Sequence, residues 1–198
     1  PIKFEDPTKK ASSVSFSADG KMLFATTNRL HSFNVVMRSD LSEELASVKI
    51  EGRRYISPNG HVVAMVQNGT TSLWDTQTGK SLGNLTHPVK YSVASAAFSP
   101  DGRFLAMSIF DYRVLIWDLE TLRPATNNPT GTAIVRNLNY SPDGRKLVCS
   151  ADARVLLWDV ATGKELSFDA TQDLRGSVHS VAIAPDGSQV ASAARKGY

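Results

Sequence analysis

Residues 93–127 run VASAAFSPDGRFLAMSIFDYRVLIWDLETLRPATN, and their reading decides the fold. Val93 to Phe98 is short, small and apolar, the composition of a strand covered on both faces. Ser99-Pro100-Asp101-Gly102 then reads as a tight turn. Proline presets φ at about −65°, aspartate bonds its own backbone, and glycine accepts positive φ. Phe104 to Met107 returns as a second strand, Phe110-Asp111-Tyr112-Arg113 turns again, and Val114 to Trp117 forms a third. A polar stretch from Asp118 to Arg123 leads to a weaker fourth strand near Pro124-Ala125-Thr126. Nothing here has helical period, and a strand-turn rhythm of about ten residues predicts antiparallel all-β structure.

The same unit recurs along the chain. The turn appears as SADG ending at Gly20, SPNG at Gly60, SPDG at Gly102 and Gly144, and APDG at Gly187, with glycine spacings of 40, 42, 42 and 43. A second marker follows each of the first four glycines: Phe33-Asn34, Trp74-Asp75, Trp117-Asp118 and Trp158-Asp159, at offsets of 13, 14, 15 and 14. A four-stranded antiparallel unit repeating about every 42 residues is one blade of a propeller. On these residues the chain resembles the WD-repeat family, carried by Leu73-Trp74-Asp75, Ile116-Trp117-Asp118 and Leu157-Trp158-Asp159 with their upstream turns.

The resemblance implies an all-β fold of WD-repeat β-propeller blades in one region spanning 1–198. Four blades are expected at about 11–51, 53–86, 92–128 and 134–170, with part of a fifth at 178–198. The first blade is degenerate, with Phe33-Asn34 for Trp-Asp and a polar insert from Met37 to Glu44. The inner strand is expected to be the most apolar because it lines the crowded axis, and the outer strand polar because it meets water. The family closes its ring with about seven blades, so five imply an incomplete ring. The chain is then an excerpt of a longer propeller, a half completed by a second chain, or a small five-bladed ring closed by Ile2 to Glu5.

The formal net charge of +3, from 22 basic and 19 acidic residues, is too small and too scattered to imply nucleic acid or a membrane as partner. No apolar run approaches the roughly 20 residues that span a bilayer. One cysteine, Cys149, leaves no internal disulfide framework and fits a reducing, cytoplasmic setting. The N-terminus lacks the basic start and apolar core of a secretory signal, although the chain begins with Pro1 and not Met.

His87, Ser108 and Asp111 could be read as a Ser-His-Asp triad. The resemblance implies a different role: a hydrogen-bonded set from a Trp indole through a hydroxyl and a His to a loop Asp, satisfying buried polar groups. On this chain that structural network is His87, Asp111 and Trp117, then Ser150, Asp152 and Trp158, with Trp74 in the second blade. No blade carries the full set in its usual spacing. The four histidines, His31, His61, His87 and His179, have no metal-ligand spacing. His179 alternates along a strand and is expected in the core; His61 follows a turn and is expected in solvent. No catalytic residue, metal ligand or cofactor-binding loop is assigned.

In this fold the loop before the inner strand and the loop between strands two and three share one face, commonly used for partners. The candidate rim is Lys90, Tyr91, Phe110, Tyr112, Arg113 and Arg154, since aromatics beside arginine on a rigid support are the chemistry of interaction hot spots. The expected function is a protein–protein interaction scaffold that presents rigid loops to other proteins or peptides. The alternatives are a hydrolase-like propeller enzyme and an architectural half-propeller.

Overall fold

A computed structural model describes residues 53–67, 69–78, 80–87, 92–110, 112–129, 134–166 and 177–194, with the backbone of 11–16, 22–27, 35–38, 44–47 and 195. The chain divides into two compact units, residues 1–87 and 88–198.

The first unit holds two four-stranded antiparallel meanders. One runs β1 (Ala11–Phe16), β2 (Met22–Thr27), β3 (Val35–Arg38) and β4 (Glu44–Ser47). The next runs β5 (Arg53–Ile56), β6 (Val62–Gln67), β7 (Thr70–Asp75) and β8 (Ser81–Thr86). The second unit repeats the plan twice, with β9 (Val93–Phe98), β10 (Phe104–Ile109), β11 (Val114–Asp118) and β12 (Arg123–Pro124), then β13 (Val135–Tyr140), β14 (Lys146–Ala151), β15 (Arg154–Asp159) and β16 (Glu165–Leu166). It ends with the pair β17 (Ser177–Ile183) and β18 (Val190–Arg195). No helix occurs among the described residues, and the all-β, four-stranded antiparallel expectation holds.

The repeated sequence markers sit in matching register. Each Trp of a third strand lies opposite an aliphatic residue of the second: Trp74 against Val63, Trp117 against Leu105, Trp158 against Leu147. The outer strands β8, β12 and β16 are mostly exposed, as their polar composition requires.

In the second and fourth sheets the second strand is more buried than the inner one, and in the third sheet the two are equally buried; Val63 to Val66, Leu105 to Ile109 and Leu147 to Ala151 are buried without interruption. In the second unit the reason is visible. Alternate residues of β14 point to opposite faces. Leu147, Cys149 and Ala151 join a core with Ala106, Val114, Ile116, Leu138 and Trp158, while Val148 packs with Val178 and Val181 of the following sheet. The second strand is thus covered on both faces and paired on both edges. The inner strand has one edge without a strand partner, and its polar groups must find other bonds. Asn139 Nδ2 donates to the Val181 carbonyl at 2.6 Å, and the Val181 amide donates to Asn137 Oδ1 at 3.4 Å, so two asparagines link β13 to β17. His179, expected in the core, is exposed on β17.

Candidate functional site

Each meander has two ends, and they are built differently. At one end lie the turn between strands one and two and the turn after Trp-Asp. In the first of these, Gly60, Gly102, Gly144 and Gly187 all adopt φ between 72° and 75°, a region that L side chains avoid. The amide of each glycine donates to the carbonyl three residues back at 2.8–2.9 Å. The Ser57, Ser99 and Ser141 hydroxyls donate to Asn59, Asp101 and Asp143, and each serine oxygen accepts the amide five residues on at 2.9 Å. The serine hydroxyl and the following backbone amide hold the Asp101 and Asp143 carboxyls below the ordinary carboxylate range.

The Trp-Asp turn is closed by the same chemistry. Asp75 Oδ1 accepts from the Gln77 and Thr78 amides and the Thr78 hydroxyl, and Asp159 Oδ1 accepts from the Thr162 amide and hydroxyl at 2.8 Å. The Asp of each Trp-Asp pair is therefore a turn cap. In the third sheet Asp118 also accepts from Arg103, at 2.8 Å from Nη2 and 3.3 Å from Nε, and that bond holds its carboxyl low.

The opposite end carries the hairpins between strands two and three, and here the sheets differ. The fourth sheet turns at Asp152, with φ +51°. The third turns through Phe110 and Tyr112, which are 40% and 48% exposed, and Tyr112 has φ +70°. A bulky aromatic in that region is an outlier, and such strain collects at functional positions. The tip is fixed on several sides. The Ile109 amide donates to the Arg113 carbonyl at 3.0 Å, the Phe110 amide to the Ser92 carbonyl at 3.2 Å, and the Val114 amide to the Pro129 carbonyl at 3.0 Å.

Of the candidate rim, the structure thus brings Phe110, Tyr112 and Arg113 together on one tip, with Arg113 exposed. Arg154 is exposed at the corresponding end of the fourth sheet, where it pairs with Ala151. Lys90 and Tyr91 lie outside the described residues.

Of the residues expected in the hydrogen-bonded network, the Ser150 hydroxyl, the Trp74 and Trp117 indole nitrogens and both ring nitrogens of His87 are buried, with no hydrogen-bond partner among the described residues. Burial lowers the His87 pKa, favouring the neutral ring. Asp111 lies outside the described residues. Asp152 is exposed because it takes the left-handed turn position, and there its carbonyl accepts from the Val178 amide at 2.7 Å. Trp158 is 1% exposed and acts as a core side chain. The supposed triad serine is engaged elsewhere: Ser108 Oγ accepts from the Ser95 amide at 3.0 Å and donates to its carbonyl at 3.2 Å. Among the described residues no three His, Cys, Asp or Glu side chains gather as metal ligands would.

One feature escaped the sequence reading. Between the third and fourth sheets, at the regular end, lies a mostly apolar cavity of about 480 Å³ lined by Phe104, Ile116, Ala125 and Val160, with Arg145 and Asp159 also in its lining. The signal available was the small residues that follow the Trp-Asp turns, but their convergence depends on how two sheets pack.

The WD40 family (WD domain, G-beta repeat) matches residues 79–118 and 125–159. The chain is 27% identical over 169 residues to the protein LST8 homolog of Drosophila melanogaster, covering 79% of this chain and 54% of that protein. It is 27% identical over 143 residues to guanine nucleotide-binding protein subunit beta-1 of Caenorhabditis briggsae, covering 70% and 41%. Against the target of rapamycin complex subunit LST8 of Rattus norvegicus it is 24% identical over 172 residues, covering 79% and 52%. The chain spans about half the length of these curated relatives.

Proposed function

We propose that this chain, two segments of which match the WD40 family, is a protein–protein interaction module whose docking rim is the hairpin tip Phe110, Tyr112 and Arg113, with Arg154 at the corresponding end of the following sheet. The single observation that carries this reading is the tip itself: two exposed aromatics next to an exposed arginine, one of them held at φ +70° on a hairpin pinned by backbone hydrogen bonds. A side chain whose backbone is already ordered loses little entropy when a partner closes over it. Tyr and Arg are also the residue types that dominate binding energy at interfaces. Two relatives have names that denote parts of assemblies, a beta subunit and a complex subunit, which supports a binding role.

The chain is read here as a binding module and not an enzyme, with other proteins or peptides as partners. Engagement of Ser108 by the Ser95 backbone supports setting the triad aside. A cytoplasmic setting is part of the proposal, supported by a lone cysteine that is buried and whose thiol burial pushes up.

The test is affinity capture with quantitative mass spectrometry, comparing the parent chain with a Tyr112→Ala/Arg113→Ala double variant. Partners captured by the parent should fall by about tenfold or more with the variant, as expected for loss of hot-spot contacts. Circular dichroism should be unchanged, since both side chains are exposed. Equal capture by both proteins would remove this rim from the reading.

A further inference from the structure

We propose that the hairpin rim of the second unit binds an acidic peptide segment of a partner protein, and that Arg136, which the sequence reading left out of the rim, is one of its contacts. This deepens the reading of the hairpin end as the docking face, on which it rests, by naming the chemistry that face takes.

The geometry begins at a β-bulge. The pairing of β13 with β14 slips between Val135 and Asn137, so Arg136 has no register partner. Val135 is buried and Arg136 beside it is exposed. A bulge re-aims one side chain while the strand continues. The pairing of β17 with β18 slips in the same place, between Val178 and Ser180, and His179 is exposed next to buried Val178. In the third sheet the slip falls between Val93 and Ser95 and the residue is Ala94. The irregularity thus belongs to the architecture, and an arginine at it is particular to the fourth sheet.

Three arginines rise from one patch of core. Arg113 precedes Val114, Arg136 follows Val135, and Arg154 is the register partner of Ala151, which also pairs with Val135. Val114, Val135 and Ala151 are buried in a single cluster. The Val114 amide donates to the Pro129 carbonyl, which ties the third hairpin to the segment leading into β13. All three arginines are exposed. Arg136 and Arg154 make no ion pair among the described residues.

Charge is also segregated by end. Asp101, Asp118, Asp143, Asp159 and Asp186 lie at the opposite end, and each accepts the amide two or three residues on within its own turn. Among the described carboxylates of the second unit, Asp152 alone stands at the hairpin end; Asp111 of the third hairpin lies outside the described residues. A planar guanidinium offers paired donors that match a carboxylate, and arginine clusters are a recurrent means of holding acidic segments. Phe110 and Tyr112 add exposed apolar surface beside these charges. A segment with carboxylates around one apolar residue complements this face, and such complementarity sets partner choice and on-rate. A scattered net charge of +3 favours a short acidic segment over a nucleic acid, whose binding needs an extended basic track.

The experiment is selection of a phage-displayed random peptide library on the full chain, followed by fluorescence anisotropy of the enriched peptides as fluorescein conjugates. Enriched peptides should carry net negative charge. Arg136→Glu should weaken their binding by about tenfold and flatten its salt dependence, and Arg136→Gln should weaken it by about threefold. Adding Arg154→Glu to Arg136→Glu should weaken it by about tenfold again. Arg145→Glu, the same charge reversal on an exposed residue at the opposite end, should change it by less than about twofold. Circular dichroism should be the same for every variant, since each altered side chain is exposed. Enriched peptides without net negative charge that are still lost on Tyr112→Ala/Arg113→Ala overturn the proposal and leave the hairpin rim standing. Acidic peptides weakened equally by Arg136→Glu and Arg145→Glu overturn it as well, because attraction by net charge would then suffice. Oligouridylate that binds more tightly than every enriched peptide and is lost with Arg136→Glu gives the face to nucleic acid and overturns it, as does a selection that enriches nothing.

Discussion

The two ends of each meander in this chain obey different rules. At the turn end, four copies place a glycine within three degrees of one another in φ and repeat the same hydrogen bonds to within about a tenth of an ångström. At the hairpin end, the second sheet uses Gly69 at φ +86°, the fourth uses Asp152 at +51° and the third uses Tyr112 at +70°. Glycine and aspartate are residues that tolerate the left-handed region, and tyrosine is not. The turn end is repeated because sheet geometry leaves it no choice. The hairpin end is free to vary, and one copy has accepted a strained aromatic in solvent. Architecture and docking are therefore separable on the same strands.

The largest effect is expected where turn and core meet. Trp158 is 1% exposed and packs in the cluster that joins the third and fourth sheets. Trp158→Ala should lower unfolding free energy by about 3–5 kcal/mol, read by urea denaturation, because the cavity cannot collapse between two sheets. A loss below 1 kcal/mol would place the indole outside the load of the core and break the comparison at its strongest point.

Gly163 tests whether the turn end is constrained by backbone conformation or by neighbours. Leu122 occupies the equivalent position of the third sheet with φ +55°, so a side chain is possible in that conformation. At Gly163 a Cβ would lie 2.7 Å from the Asn127 carbonyl oxygen. Gly163→Ala should therefore cost about 2–3 kcal/mol, combining left-handed strain with a clash against backbone. The same assay on Leu122→Gly should show a change of less than about 1 kcal/mol, because relief of strain is offset by the freedom glycine gains when unfolded. Equal costs at the two positions would mean that conformation alone governs this turn.

Much of this organisation was legible in the sequence. The period of about 42, the turn tetrapeptide and the Trp-Asp marker place the four-stranded sheets because each marker carries its own local chemistry: a glycine that needs positive φ, an aspartate that caps its own turn. Strand burial follows composition: Val93 to Phe98 and Leu105 to Ile109 are similarly apolar and similarly buried, while Arg53 to Ile56 and Val135 to Tyr140 carry arginines or asparagines and are less buried than the strands that follow them. Of the network residues, Ser150 and Asp152 are two residues apart; the Asp152 carbonyl accepts from the Val178 amide, and the Ser150 hydroxyl has no hydrogen-bond partner among the described residues. The cavity was not legible, since Phe104 and Val160 are 56 residues apart and meet through two sheets.

A smaller effect separates the turn serines from their acidic partners. Ser141→Ala removes the acceptor of the Lys146 amide and the donor to Asp143, and should cost about 1–2 kcal/mol. The Asp143 carboxyl is held low in the folded chain by Ser141 and the Arg145 amide. As pH falls through the unfolded carboxylate value of about 3.9, the unfolded chain takes up protons first. The stability this group supplies is therefore present above that pH and lost below it, down to its folded value. Asp143→Asn should make the acid limb of a stability–pH curve shallower. Asn59, which already fills the corresponding place in the second sheet, contributes no such limb, and Asn59→Asp should add one. Identical acid limbs in all three proteins would show that the turn carboxylates are not coupled to folding.

The smallest effect on stability carries the most weight for function. Tyr112 stands at φ +70° with its ring 48% exposed, where an L side chain other than Asn or Asp costs about 1–2 kcal/mol and solvent returns little of it. Asparagine tolerates that conformation, so Tyr112→Asn should raise unfolding free energy by about 0.5–1 kcal/mol. Partner capture in the affinity experiment should fall at the same time. Opposite signs in the two measurements are what a docking residue held under strain requires, since a residue serving only the hairpin would be improved or harmed in both together. If Tyr112→Asn instead lowers stability, the ring contributes packing at the tip, the strain is structural, and the hairpin end loses its separate role.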